Sequence, residues 1–281
     1  MIKTFIQSVS LLLLLVSCHT SRHVISDQFV VVDSVLDSVT CVNNDGERFT
    51  LVSKLPTVSI KDSLIEEICN KSIALALNER LVMFDFLELN EITQTTKKLS
   101  TKLFKMIRDN CSPSEYGIGT ISNDYVKLYD KNDILSLQVC VEHVFAGLNI
   151  DCTYICLDVR TGELMLDAYV FNSDLQGLFD MIDERINTEI VYSKRQIQLS
   201  DDYNEVEKKE MIKELNYYHS SVTALPKEWC VTVDNGMAGI LFSGIEILER
   251  LPYKMSSFDF FFTLDELNPY LNKEFVQRIT N

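Results

Sequence analysis

The stretch ILSLQVCVEHVFAGLNIDCTYICLDVRTGELML (residues 134–166) and the following SDLQGLFDMIDERINTEI (residues 173–190) decide the fold. Its first twelve residues alternate, placing Leu135, Leu137, Val139 and Val141 on one face of a strand. A turn is expected near Gly147 to Asp151, then a second strand over Thr153 to Leu157. Arg160-Thr161-Gly162 reads as a tight reversal into Glu163-Leu164-Met165-Leu166. Ser173 and Gln176 have the spacing of a reciprocal capping box. Behind them Leu175, Leu178, Phe179, Ile182, Ile186 and Ile190 fall on one face of a helix. The reading is α+β: an antiparallel sheet packed against amphipathic helices, in two lobes.

Working outward towards the N-terminus, Phe29 to Val32 reads as a strand. A hairpin follows, Val35–Val42 with Arg48–Val52, around Asn43-Asn44-Asp45-Gly46. Ser63 and Glu66 form a second capping-box pattern, opening a helix expected to bury Leu64, Ile65, Ile68, Cys69 and Leu75. Leu81 to Leu89 fits a strand or a continuation of that helix. Glu91 to Asp109 reads as a helix, with Ile92, Leu99, Leu103, Met106 and Ile107 on one side. Polar Ser114 to Asn123 is the expected linker between an N-terminal α+β module (27–123) and a C-terminal domain (124–281).

Towards the C-terminus, Gln198 to Tyr218 reads as one charged helix with a thin apolar side of Val206, Met211 and Leu215. Lys227–Val233 and Ala238–Ile247 pair around Asp234-Asn235-Gly236. Phe258, Phe260 and Phe262 occupy the buried face of a last strand. Leu264 to Leu271 closes with a helical turn.

The formal charge of -15 and the lack of a basic stripe argue against a phosphate-reading surface, so nucleic acid is not an expected partner. A cationic protein would be attracted to such a chain. The address lies at residues 1–17. Lys3 precedes an apolar stretch, Val9 to Val16, too short to span a bilayer. Leu15-Val16-Ser17-Cys18 then matches a bacterial lipoprotein box. It implies cleavage before Cys18, acylation of that cysteine, a tether over 18–26, and a body held on the envelope outside the cytoplasm, the outer membrane being the expected site.

Past Cys18 the cysteines are Cys41, Cys69, Cys111, Cys140, Cys152, Cys156 and Cys230, an odd set. Cys152 and Cys156 share a strand, where four residues span about 13 Å, beyond the reach of a disulfide. If the hairpin turns near Leu148, Cys140 lies opposite Cys156, which would allow a cross-strand bridge. The competing reading is that these are small buried apolar residues. No zinc spacing or cofactor motif is present, so no metal or cofactor is expected.

The chemistry-bearing residues are few. His143, in a strand beside Glu142, could act as a general base with Asp151 or Asp158, but a satisfied strand histidine is the favoured reading. Asp158, Asp167 and Glu246 are the carboxylates weighed as a glycosidase pair and are assigned instead to solvated turns and strand ends. Tyr217, Tyr218 and Trp229 could stack on a sugar or anchor a protein partner, against partial burial as the alternative.

Two stretches carry a family resemblance. Leu157-Asp158-Val159-Arg160-Thr161-Gly162-Glu163-Leu164, with Phe171 and the helix behind it, resembles a strand, Thr-Gly turn and helix found in an extracytoplasmic domain of unknown function. The closing Glu266-Leu267-Asn268-Pro269-Tyr270-Leu271-Asn272 is similar to that family's Glu-Leu-Lys-Pro-Tyr-Leu ending. This domain forms the ectodomain of the anti-sigma factor RsiV, accompanies the catalytic domain of a peptidoglycan deacetylase (the RsiV/PdaC-like group), and stands alone in many Bacteroidetes lipoproteins. The resemblance covers roughly residues 124–281. It implies a lysozyme-like cationic protein or a peptidoglycan ligand as partner, and a binding role over catalysis. Where the family often has Thr-Gly-Gly-Ala-His, this chain has Phe145-Ala146-Gly147-Leu148-Asn149, without the histidine. The alternative function is an envelope glycan hydrolase using paired carboxylates.

Overall fold

The computed structural model describes residues 30–42, 48–83, 95–109, 119–144, 148–217, 222–226, 228–243 and 259–280. The first hairpin is longer than the sequence pattern suggests. β1 (Val31–Val42) is continuous and pairs along its whole length with β2 (Arg48–Ser59), from Val31 opposite Ser59 to Val42 opposite Arg48. Two helices follow, α1 (Ser63–Met83) and α2 (Thr96–Asp109). Then come β3 (Gly119–Lys131), β4 (Ile134–Val144), β5 (Leu148–Asp158) and the two-residue β6 (Glu163–Leu164). The six strands form one sheet in sequence order, antiparallel throughout except where β2 meets β3 in parallel at Ser53 and Asn123.

Asn132 and Asp133 link β3 to β4 with φ of 55° and 58°. Two left-handed residues make the kind of turn whose twist matches the flanking strands, and Asn and Asp tolerate it best after glycine. The remaining elements are α3 (Asp167–Val170), α4 (Gln176–Leu199), α5 (Glu205–Tyr217), β7 (Trp229–Asp234), β8 (Met237–Ser243), β9 (Asp259–Thr263), α6 (Leu264–Leu267) and α7 (Lys273–Thr280). β7, β8 and β9 form a second, antiparallel sheet.

The period of two in β4 and β5 feeds two cores, because both faces of the large sheet are covered. Leu135, Leu137, Val139, Ile155 and Leu157 pack with Leu55, Cys69, Ile73, Leu99 and Leu103 under α1 and α2. Ile134, Tyr154 and Cys156 join Leu178, Ile182, Ile186, Phe242, Phe262 and Phe275 on the other side. Each fully buried Leu, Ile or Phe contributes about 1.5–3 kcal/mol relative to exposure. The result is the expected α+β architecture with two lobes, sharing the large sheet between them.

Several local expectations are corrected. The expected linker is not one throughout: Gly119 to Asn123 already belong to β3, which runs through the expected boundary at 123/124. Asp62, not Ser63, caps α1, its Oδ1 accepting from the backbone N–H groups of Leu64 and Ile65. Glu66 still reaches back, but to the N–H of Ile60. Leu64 is 65% exposed, while Ile73 and Leu77 take the buried positions. The Ser173 capping box does not form: α4 starts at Gln176, whose amide turns forward to Asp180. Gln198 to Tyr218 is not one helix. It breaks at Ser200 to Asn204, and Asn204 caps α5 by accepting from Val206 and Glu207. α7 extends the chain end beyond the expected helical turn.

Candidate functional site

The Thr-Gly turn is anchored by charge. Asp158 ends β5 and accepts from Arg160 (Nη2 to Oδ2, 2.7 Å) and from Arg278 of α7 (Nη1 to Oδ2, 2.7 Å; Nη2 to Oδ1, 2.8 Å). Arg278 also donates to the carbonyls of Asn132 and Asp133 and to Tyr169 Oη, so all five of its N–H donors are engaged. Burial alone would raise the Asp158 pKa. The hydrogen bonds and charges of Arg160 and Arg278 outweigh it and hold the carboxyl below its ordinary range. Asp158 is therefore an anchor ionised at neutral pH, not the solvated turn residue expected, and it is unsuited to serve as a general acid.

Gly162 closes the same turn with φ of 80°. A Cβ there would lie 2.8 Å from Ile65 O and 2.9 Å from Cys69 N, so the turn presses directly on α1. The closing motif is equally structural. Asn272 Nδ2 donates to the carbonyls of Ala168, Tyr169 and Phe171, while Asn172 Nδ2 donates to Pro269 O. The two stretches that carry the family resemblance are thus bonded to one another.

Trp229 is corrected as a surface anchor. It is buried, its Nε1 donates to Asp167 Oδ1 at 2.7 Å, and its ring meets Phe171 edge-on at 5.5 Å. Asp167 is exposed, yet its carboxylate is engaged by that indole. Tyr217 is the last residue of α5, its side chain outside the described residues, as are Tyr218, Glu246 and the whole of residues 1–29 with Cys18. His143 lies in β4 opposite Asn149 and Asp151 lies in β5; the side chains of both are outside the description.

The disulfide pairing also differs. Val144 pairs with Leu148, so the hairpin turns two residues before Leu148, the expected turn. Cys140 consequently faces Cys152, with which it forms the cystine, while Cys156 faces Ser136 and stays a free thiol. Cys69, Cys156 and Cys230 are all buried, and burial pushes their thiols up, that of Cys69 to about 12.

One surface feature was missed. An open depression of about 580 Å³ lies along the outer side of α4, lined by Asp180, Asp183, Glu184, Asn187, Thr188 and Val191. The signal was present in the sequence, as acids at three- and four-residue steps opposite the Leu178–Ile182–Ile186 face, but without the fold nothing says that this side is concave. Asp183 is partly committed, accepting from the N–H of Val222 at 3.1 Å. Asp180 and Glu184 are exposed. Among the described residues no group of three His, Cys, Asp or Glu side chains could hold a metal ion, and no helix is long and apolar enough to cross a membrane.

No family model matches the sequence, and no curated protein matches it. Among solved structures, a member of the DUF3298 family from Bacteroides fragilis NCTC 9343 aligns with a TM-score of 0.52 at 10% identity, covering 90% of this chain and 99% of that one. This chain has the fold of that DUF3298 protein. A DUF3298 family protein from Pseudomonas aeruginosa PAO1 aligns with a TM-score of 0.48 at 8% identity, over 89% and 97% of the two chains.

Proposed function

We propose that this chain is an extracytoplasmic lipoprotein of the RsiV/PdaC-like group, tethered to the envelope through acylated Cys18, which binds a cationic protein without transforming it. The observation that carries the reading is the α4 depression, where Asp180, Asp183 and Glu184 line one shallow, open surface of a chain with formal charge -15. Clustered acids on one surface attract a Lys- or Arg-rich segment and speed its encounter, with little effect on anionic polymers except repulsion. The Leu15-Val16-Ser17-Cys18 box supports the anchor, and the Cys140–Cys152 cystine supports an oxidising compartment. A binding role is further supported by Asp158 and Asp167, two of the three acids weighed for glycan hydrolysis, each held in a structural bond.

The test uses the full chain in detergent micelles, with lysozyme as the cationic probe and neutral muropeptides as the contrast. Saturable, salt-sensitive binding of lysozyme is expected, weakened about tenfold, on the order of 1.4 kcal/mol, by combining Asp180→Asn with Glu184→Gln. Release of reducing sugar from peptidoglycan by the chain alone, without lysozyme, would instead establish the hydrolase reading, and lysozyme binding unchanged in the double variant would remove the depression from the account.

A further inference from the structure

The N-terminal hairpin joins the rest of the large sheet at one register position, Ser53 of β2 beside Asn123 of β3. In both strands the alternation turns this pair towards the helices: Ser53 lies on the face of Leu55, part of the core under α1 and α2, and Asn123 on the face of Tyr125, which packs against that core. α2 packs across both strands and brings Leu99, Leu103, Thr96 and Ser100 to the same side, all buried. Ser53 is 0% exposed and Asn123 1%. Among the described residues the Ser53 hydroxyl, the Asn123 carbonyl oxygen and the Asn123 amide nitrogen make no hydrogen bond to a protein group.

Three orphaned polar atoms at one seam conflict with the rule that buried polar groups are paired, since each costs about 1–3 kcal/mol when left unmet. Rotating the serine onto the asparagine oxygen would satisfy that acceptor but leave the amide N–H groups unmet. The missing partner must therefore accept from the amide, and it can donate to the serine oxygen. It must also be small enough to sit where neither side chain reaches the surface. We propose that an internal ordered water binds between Asn123 and Ser53 beneath α2, accepting from Asn123 Nδ2 and hydrogen-bonded to the serine hydroxyl. Buried waters of this kind make about three hydrogen bonds to groups that are otherwise unsatisfied. The joint between the hairpin and the rest of the sheet is then a hydrated polar contact set in an apolar layer.

The site is tested on the full chain by a crystal structure at a resolution that shows ordered solvent, together with water-to-amide cross-relaxation on the Asn123 side-chain amide. A long-lived water in contact with both residues is expected. Direct pairing of both side chains with protein groups, and no water signal, would overturn the inference. The combined variant Ser53→Ala with Asn123→Leu removes both polar partners together and is expected to fold with the ordered-solvent density at that place gone. Solvent density persisting at the same place in that variant would show that these residues do not hold it. Should the variant fail to fold, the wild-type signal alone decides.

Discussion

Arg278 grips Asp158 with two parallel hydrogen bonds, at 2.7 and 2.8 Å, across 120 residues of sequence. The pair fastens the last helix to the end of β5, and the other donors of Arg278 fasten it to the β3–β4 turn. Both side chains are nearly enclosed, at 9% and 13% exposure. Removing Arg278 leaves Asp158 to Arg160 alone and takes the donor from the Asn132 and Asp133 carbonyls, so Arg278→Ala is expected to lower stability by roughly 1.5–3 kcal/mol in chemical denaturation. Arg278→Lys is expected to recover little of this, because an ammonium cannot reproduce the planar fork. The folded-state pKa of Asp158 is depressed, so its contribution is present above the unfolded carboxylate pKa and is lost as pH falls through the lower folded value. Asp158→Asn should therefore be less stable at neutral pH and lack this acid limb.

How much of this was legible follows from what alternation encodes. The strand faces of β4 and the buried face of α4 were readable, because a period of two or of 3.6 survives whatever the partners are. The hairpin's turn was not. Shifting a turn by two residues moves each cross-strand partner by four and leaves every side chain on its original face, so the pattern cannot distinguish Cys152 from Cys156 opposite Cys140. Adjacent cap-competent residues, Asp62 and Ser63, posed a similar degeneracy at α1. The bonds from Arg278 to Asp158 and from Asn272 to residues 168–171 join segments about a hundred residues apart, and no local signal announces them.

The cystine assignment is checked by peptide mapping under non-reducing conditions. A Cys140–Cys152 cross-linked peptide is expected, and it should persist in Cys156→Ser. A Cys140–Cys156 peptide would contradict the register. Replacing the bridge by Cys152→Ser closes no loop in the unfolded chain and is expected to cost roughly 2–3 kcal/mol. Cys69, Cys156 and Cys230 should resist alkylation until the protein is unfolded, since burial raises all three thiols.

Gly162→Ala tests the seating of the Thr-Gly turn on α1. The added methyl meets Ile65 O and Ile68 Cβ at 2.8 Å, neither of them the end of a flexible side chain, and φ of 80° strains any residue with a Cβ. A loss of roughly 1–3 kcal/mol is expected, read as a lower denaturation midpoint. Gly236→Ala supplies the control. It carries the same positive φ of 81° but has nothing within 4 Å, so it should show the backbone strain alone and the smaller loss.

Tyr154 and Asp259 tie the two sheets together and give a pH dependence of the opposite sign. Tyr154 Oη donates to Asp259 Oδ2 at 2.6 Å and accepts from Gln138 Nε2 at 2.9 Å. Although the surface of Asp259 as a residue is open, its carboxylate is turned inward. Desolvation there raises its pKa, partly offset by the bond from Tyr154. The folded state therefore holds this proton more tightly than the unfolded chain does, and the group's contribution to stability falls as pH rises through the raised value. Tyr154→Phe removes the stabilising donor, so Asp259 is expected to titrate still higher, followed by its carboxyl carbon shift in NMR. An Asp259 pKa that stayed put or fell in Tyr154→Phe would mean that the hydrogen bond between the sheets does not form in solution.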